Sequence, residues 1–260
     1  MKAIISVYEK KGIVEFAKEL LKLGYEIIST EGTANLLEKN GINVLRIKDY
    51  TKFPEILSGR VKTLHPKIFA GILAEDENDI KKYKISKIDI VVCNLYPFFK
   101  KKCIENIDIG GVSLLRAGAK NYRDVIVICD PEDYGWVLEK LKKGALTVKD
   151  RKKLAEKVFN YTSRYDVEIF NWFKGKEKFP ENLALFYKKE SILRYGENPQ
   201  QKAAFYTEGR VNFIKLSGKD LSFNNIFDIN SAISFIREFT DEKFLVGVFK
   251  HTIPCGVACG

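Results

Sequence analysis

The sequence predicts an α/β fold built on a parallel sheet, and three observations carry that prediction. Short β-rich runs alternate with helical patterns through the first 130 residues, an order that calls for crossover helices between parallel strands. The runs Ile88 to Asn94 and Val125 to Cys129 are almost wholly apolar, as strands buried on both faces are. Ile13, Phe16, Ala17, Leu20 and Leu21 keep the spacing of one buried helical face, and Gly24 closes that helix where a left-handed cap is easy.

Taken in order, Ala3 to Val7 reads as the first strand and Tyr25 to Ser29 as the second. Thr33 to Lys39 is a short helix ended by Asn40 and Gly41, and Asn43 to Ile47 is the third strand. Asp130 caps a helix from Pro131 to Leu141, with proline at its first position and Gly144 past its end. Thr147 and Asp150 resemble a capping box that opens a long helix, with Leu154, Val158, Thr162, Tyr165 and Ile169 on one face. The polar stretch Lys174 to Asn182 reads as a linker. Beyond it come a strand (Leu183 to Tyr187), a loop, a strand (Ala204 to Tyr206), a turn at Gly218, a helix (Ile229 to Phe239) and a strand (Phe244 to Phe249). Gly59 to Pro66 and Ile107 to Asn121 read as too polar and glycine-rich to be core.

Composition narrows the function classes. Of 260 residues, 45% are hydrophobic and 30% charged, which excludes a mainly disordered, collagenous or coiled-coil chain. No apolar run approaches the ~20 residues of a membrane span. The opening MKAIISVYEKKG returns to charge before any cleavage-type site, so no secretory signal is expected. Five scattered cysteines form no even framework, and a reducing cytoplasm is the natural compartment. A net charge of +10 suits an anionic partner. The basic residues are mixed with acids and form no stripe with exposed aromatics, which favours a phosphorylated metabolite over nucleic acid.

In open parallel sheets ligands bind at the carboxyl ends of the strands, so the loops there hold the candidates. Ser6, Lys10 and Gly12 follow the first strand; Thr30, Glu31, Gly32 and Thr33 follow the second, just ahead of a helix. Hydroxyls, a lysine and helix-terminal amides suit a phosphate, although an ordinary helix cap reads the same way. The segment GRVKTLHP gathers Arg60, Lys62, Thr63 and His65 into an anion site or a solvated loop. Asn94 and Tyr96 sit off the end of the fourth strand, where a core tyrosine is the plain alternative. Asp108 and Gly110 precede a helix that carries Lys120; acid and lysine form a tunable proton-transfer pair, or a cap with a surface lysine. In the second half Arg194, Tyr195 and Asn198 share a tight turn, LSFNNIFD holds Asn225, and Lys250 with His251 ends a strand. No zinc site is expected from KHTIPCGVACG: His251 lacks the H-x-E pattern, and Cys255 and Cys259 are separated by three residues where the pattern has two.

GRVKTLHP, CNLYPF, IDIGGVSLLRAGAKN, LRYGENPQQ and KHTIPCG, in this order and with these gaps, resemble the bifunctional purine-synthesis family. That family joins an inosine monophosphate (IMP) cyclohydrolase to an aminoimidazole carboxamide ribonucleotide (AICAR) transformylase. The resemblance implies that residues 1–180 form the cyclohydrolase domain, a methylglyoxal synthase-like doubly wound sheet. Residues 185–260 look like the start of a transformylase domain, similar in fold to cytidine deaminase without its zinc. Because the family continues well past this point, that domain is expected to be incomplete here.

The resemblance also implies roles. Lys62, Tyr96, Asp108 and Lys120 would catalyse ring closure of formyl-AICAR to IMP with loss of water and without a cofactor. Asp108 with Lys120 would handle the carboxamide proton, and Lys62 with Tyr96 the carbonyl oxygen and leaving water. Ser6, Lys10, Thr30, Gly32, Thr33, Arg60 and Thr63 would hold phosphate and ribose, with Asn94 and Gly110 near the base. Lys250 and His251 match the transformylase catalytic pair, which takes its formyl group from 10-formyltetrahydrofolate; Arg194, Tyr195 and Asn225 match nucleotide-binding positions. A homodimer in the cytoplasm is implied. Two departures stand out: Glu31 replaces a glycine of the usual Gly-Gly-Thr, and Ile253 replaces a polar residue. Two other readings compete, a methylglyoxal synthase-like phosphate lyase and a non-catalytic nucleotide-binding module of the same fold.

Overall fold

The computed structural model describes residues 1–239, 241 and 243–260. They fall into two compact units, Met1–Ala184 and Leu185–Gly260.

The first unit is a five-stranded parallel sheet in the order β3-β2-β1-β4-β5. Its strands are β1 (Lys2–Val7), β2 (Glu26–Ser29), β3 (Leu45–Arg46), β4 (Ile90–Asn94) and β5 (Ile126–Ile128). Every residue of β4 and β5 is buried, as continuous apolar runs require when helices cover both faces. The chain moves outward from β1 through β2 to β3, then returns to β4 and β5 on the other side. Its direction therefore reverses between β1 and β4, and the loops leaving those strands part to open a crevice. The register pairs Val7 with Asn94 and Ile5 with Ser29, which brings the loops after β1, β2 and β4 together at one edge.

The helices are α1 (Ile13–Lys22), α2 (Glu31–Lys39), α3 (Ile47–Thr51), α4 (Pro66–Leu73), α5 (Glu77–Tyr83), α6 (Gly110–Lys120), α7 (Tyr134–Lys142) and α8 (Val148–Lys174). On α1 the buried stripe is Ile13, Phe16, Ala17 and Leu20, with Leu21 packed at its margin. The capping box of α8 forms as the sequence predicts, Thr147 and Asp150 each accepting from the other's backbone N–H. The α8 face buries Leu154, Ala155, Val158, Thr162 and Tyr165.

Two expectations need correction here. The third strand is only Leu45–Arg46, because Ile47 turns into α3, where Ile47, Tyr50 and Thr51 find their burial. The segment Ile107 to Asn121 contributes core after all: α6 buries Gly111, Leu114, Leu115, Ala117, Gly118 and Ala119. A Cβ on Gly118 would lie 3.1 Å from Val127 Cγ2 and 3.3 Å from Val91 Cγ2, so its small size lets the helix sit close on the sheet.

The second unit holds two antiparallel pairs, β6 (Lys188–Leu193) with β7 (Ala203–Thr207) and β8 (Leu245–Lys250) with β9 (Ile253–Cys259), and one helix, α9 (Phe223–Ile236). No strand forms at Leu183 to Tyr187; pairing with β7 takes up residues 188–193 instead. The α9 helix begins six residues before the expected Ile229, because Ser222 and Asn225 make a reciprocal capping box. β9 has no counterpart in the sequence reading. Part of the helix expected to reach Phe239 is loop, and Thr240 and Glu242 lie outside the described residues.

Candidate active site

The crevice between β1 and β4 is a cavity of about 740 Å³, within the usual size of small-molecule sites. Ser6, Lys10, Thr30, Gly32, Thr33, Arg60, Lys62, Thr63, Asn94, Tyr96, Asp108 and Gly110 all line it. Tyr8, Glu105, Ile109, Gly111 and Phe173 line it as well.

One end gathers a lysine and three hydroxyls. The Lys10 ammonium donates to the Thr33 hydroxyl (2.7 Å) and to the Val7 carbonyl, and the Thr30 hydroxyl donates to Ser6 Oγ (3.2 Å). Burial lowers the Lys10 pKa, and the charge of Lys62 lowers it further. Two cations that disfavour each other across a half-buried cavity are relieved by a bound anion. Glu31 does not contribute its charge to this end. Its carboxylate accepts from Arg46 at 2.5 Å, which holds it in its ionised form, and Glu31 is absent from the cavity lining. Arg46 also pairs with Glu38 and bonds Asn35, so the arginine that holds Glu31 is itself fixed along α2 by three partners.

The other end centres on Asp108. Its carboxylate accepts from the backbone N–H of Gly111 (2.6 Å), and the Tyr96 backbone lies on its other side, close enough to favour the charged form. Burial nevertheless raises its pKa above the ordinary value, against the lowering effect of these two backbone groups and of the Lys62 charge. The two glycines are required at close quarters. A Cβ on Gly111 would stand 2.7 Å from Asp108 Oδ2, and one on Gly110 would stand 2.4 Å from Thr63 Oγ1. Beneath this turn lies Cys93, buried, its thiol 3.8 Å from the Gly111 carbonyl and its pKa driven up by desolvation and by Asp108. Tyr96 is half-buried and meets the Tyr8 ring edge-on at 5.7 Å, so it is neither core nor freely exposed.

Several candidates sit differently from the expectation. Lys120 ends α6, ten residues beyond Gly110, about 15 Å along the axis at 1.5 Å per residue. It is exposed and does not line the cavity with Asp108; Lys62 is the lysine whose charge acts on Asp108. Asn94 lines the cavity, yet its amide is engaged with the loop after β1: Oδ1 accepts from Tyr8 N–H (2.6 Å) and Glu9 N–H (2.9 Å), and Nδ2 donates to the Glu9 carbonyl (3.1 Å). Arg60 is mostly exposed and pairs with Glu105 at 2.5 Å, joining the loop before α4 to the loop before α6. His65 is the N-cap of α4, its Nδ1 accepting from Lys67 N–H (3.1 Å).

In the second unit a cavity of about 530 Å³ is lined by Arg194, Lys219, Asp220, Asn225, Asp228 and Phe249 among others. Tyr195, Lys250 and His251 are not part of that lining. Tyr195 lies under the Arg194 guanidinium, 4.9 Å from carbon to ring centre. His251 and Thr252 form the turn between β8 and β9 with φ of 53° and 65°, the left-handed pair of a tight hairpin. A β-branched residue there is strained, and the Thr252 N–H is held by Asp228 Oδ1 at 2.7 Å. The departing Ile253 opens β9 and is exposed. Among the described residues no group of three His, Cys, Asp or Glu side chains is placed to hold a metal ion, and no helix is long and apolar enough to cross a membrane.

Residues 118–260 match the family described as the AICARFT/IMPCHase bienzyme, and residues 12–117 match the MGS-like domain. The chain belongs to the AICARFT/IMPCHase bienzyme family. It is 51% identical to the bifunctional purine biosynthesis protein PurH of Thermoanaerobacter sp. strain X514, over 99% of this chain and 54% of that protein. The PurH proteins of Caldicellulosiruptor saccharolyticus and Aquifex aeolicus are 52% and 47% identical over all of this chain and 55% of theirs. The chain thus spans about half the length of the curated relatives it matches. Among solved structures, one titled "Crystal structure of ForH" superposes with a TM-score of 0.61 at 38% identity, over 66% of this chain and 98% of that one. The MGS-like match ends inside α6, whereas the two compact units divide only after α8.

Proposed function

We propose that the first unit closes the second purine ring, converting formyl-AICAR to IMP with loss of water, the last step of IMP synthesis. The observation that carries this reading is one cavity with Lys10, Thr30 and Thr33 at one end and, at the other, the half-buried, desolvated carboxylate of Asp108, which lines it together with Lys62 and Tyr96. A phosphorylated ribonucleotide meets the first end with its phosphate, and its base then lies against the second.

The reaction makes three demands. The carboxamide nitrogen must lose a proton as it attacks the formyl carbon, the developing oxyanion must be stabilised, and the resulting hydroxyl must leave as water. Asp108, desolvated and therefore more basic than an ordinary carboxylate, takes the proton. Lys62 and Tyr96 serve the oxygen, the ammonium offsetting its charge and the phenol donating as water departs. No cofactor is needed, since every step is a proton transfer or an addition to a carbonyl. The Arg194 and Asn225 cavity is the proposed AICAR pocket of a transformylase domain. There 10-formyltetrahydrofolate supplies the formyl group, and Lys250 and His251 on the adjoining hairpin move the amine proton. We read the enzyme as a cytoplasmic homodimer, a compartment consistent with five unpaired cysteines.

Phosphate elimination or mere nucleotide sensing would use the same anion end, but neither accounts for a second unit matched throughout to the bienzyme family. The test is to mix the chain with formyl-AICAR and follow IMP by absorbance. Turnover that falls about 100-fold or more in Lys62→Ala is expected. Absence of turnover, or methylglyoxal formed from dihydroxyacetone phosphate, overturns the reading.

A further inference from the structure

We propose that Tyr161 and Tyr165, one turn apart on α8, are positioning residues that hold the two catalytic loops of the first unit in register; the proposal rests on the ring-closure reading above. Both phenols lie on one face of the helix, as an i, i+4 spacing demands. The Tyr165 oxygen accepts from the Asp108 N–H at 2.9 Å, and its hydroxyl donates to the Asn106 carbonyl. The Tyr161 oxygen accepts from the Leu95 N–H at 3.2 Å, next to Tyr96. The loops so anchored meet at one cavity wall, where Tyr96 and Asp108 line the site side by side and the Tyr96 backbone favours the charged Asp108 carboxylate. One rigid helix therefore fixes both parts of that wall from behind.

Neither phenol lines the cavity, so each acts through the backbone of its loop. Packing alone does not call for the hydroxyls, since phenylalanine would fill the same space, and a buried hydroxyl is costly unless it is paired. Here both are paired with the main chain of the site loops. Burial pushes both phenols up to about 12, so Tyr165 keeps its proton, and its bond to Asn106, across the working range of pH.

The test uses the whole chain with Tyr165→Phe and Tyr161→Phe, which keep the rings. Each is expected to lower kcat for ring closure by about 10- to 100-fold, the scale of a displacement near 1 Å, while KM changes little because the anion end is untouched. A second readout needs no substrate: the Asp108 carboxyl titration, followed by carbon NMR. The charged and titratable groups that bear on Asp108 are Lys62 from the loop before α4, Cys93 on β4 and Tyr165 itself, and the first two are the same in both variants. Loosening the Gly111 and Tyr96 backbone contacts removes stabilisation of the carboxylate, so its pKa is expected to rise. Folded variants with unchanged kcat and unchanged titration overturn the proposal. A shifted titration in a protein that never turns over formyl-AICAR upholds the positioning role and sinks the ring-closure reading. Should one variant fail to fold, the other carries the same two measurements.

Discussion

Glu31 stands one residue from Thr30 at the lysine end of the cavity, and Arg46 takes up its charge. Arg46→Ala should release the carboxylate and raise KM for the nucleotide about 2- to 5-fold with little change in kcat, the scale of one screened surface charge. Adding Glu31→Gln should return KM to the wild-type value; no rise in the single variant would show that Glu31 never reaches the phosphate. Asp108 poses the opposite balance. Its pKa is raised in the folded state, so folding binds the proton more tightly than the unfolded chain does, and stability falls as pH rises through the interval above the ordinary carboxylate value. Asp108→Asn should therefore melt higher than wild type at pH 7, and the gain should shrink as pH falls toward that ordinary value. Ring closure by the same variant should drop by about 100-fold or more. A melting difference that does not change with pH would contradict this account.

Helices and loops explain why some of the site could be read from sequence and some could not. Lys10, Thr30 and Thr33 were legible because they follow β-rich runs at the carboxyl edge of a parallel sheet, where topology alone brings loops together. Lys120 shares a motif with Asp108, but a helix separates residues by its rise, and three turns of α6 place the lysine outside the cavity lining. Phe173 and Tyr165 lay beyond local pattern, since only the packing of α8 against α6 brings the end of a long helix to a loop some 60 residues earlier. Within α6, Gly118→Ala should destabilise the first unit by about 1–3 kcal/mol in urea titration, since the added methyl meets Val127 and Val91. Thr147→Ala at the start of α8 should cost about 1 kcal/mol. An unchanged midpoint for Gly118→Ala would mean that α6 has room to lift from the sheet. The missed start of α9 has a similar cause: its capping box uses Asn225 in place of Glu, and the surrounding LSFNNIFD drew attention as a binding motif.

At the scale of the molecule the two units differ in what holds them together. The first has a continuous apolar core from β1 to α8, while Leu193 is the only buried apolar side chain among the described residues of the second. Amides of β1, β4 and β5 should accordingly exchange with solvent orders of magnitude more slowly than those of β8 and β9, which have little to bury. Lys176 and Lys178 are exposed in the polar stretch after α8, near the end of the first unit, so brief trypsin treatment should cut there. The larger fragment should keep ring closure at an unchanged KM; loss of activity on cleavage would assign the second unit a part in it. The five thiols grade the same difference chemically. Cys255 and Cys259 are exposed, whereas Cys93 is sealed between β4 and the turn that carries Asp108. An alkylating reagent reaches Cys93 only when that turn lifts from the sheet. Its labelling rate is thus a clock for the opening of the Asp108 end of the cavity, built into the chain, and a nucleotide that fills the cavity should slow it while leaving the other thiols to react as before.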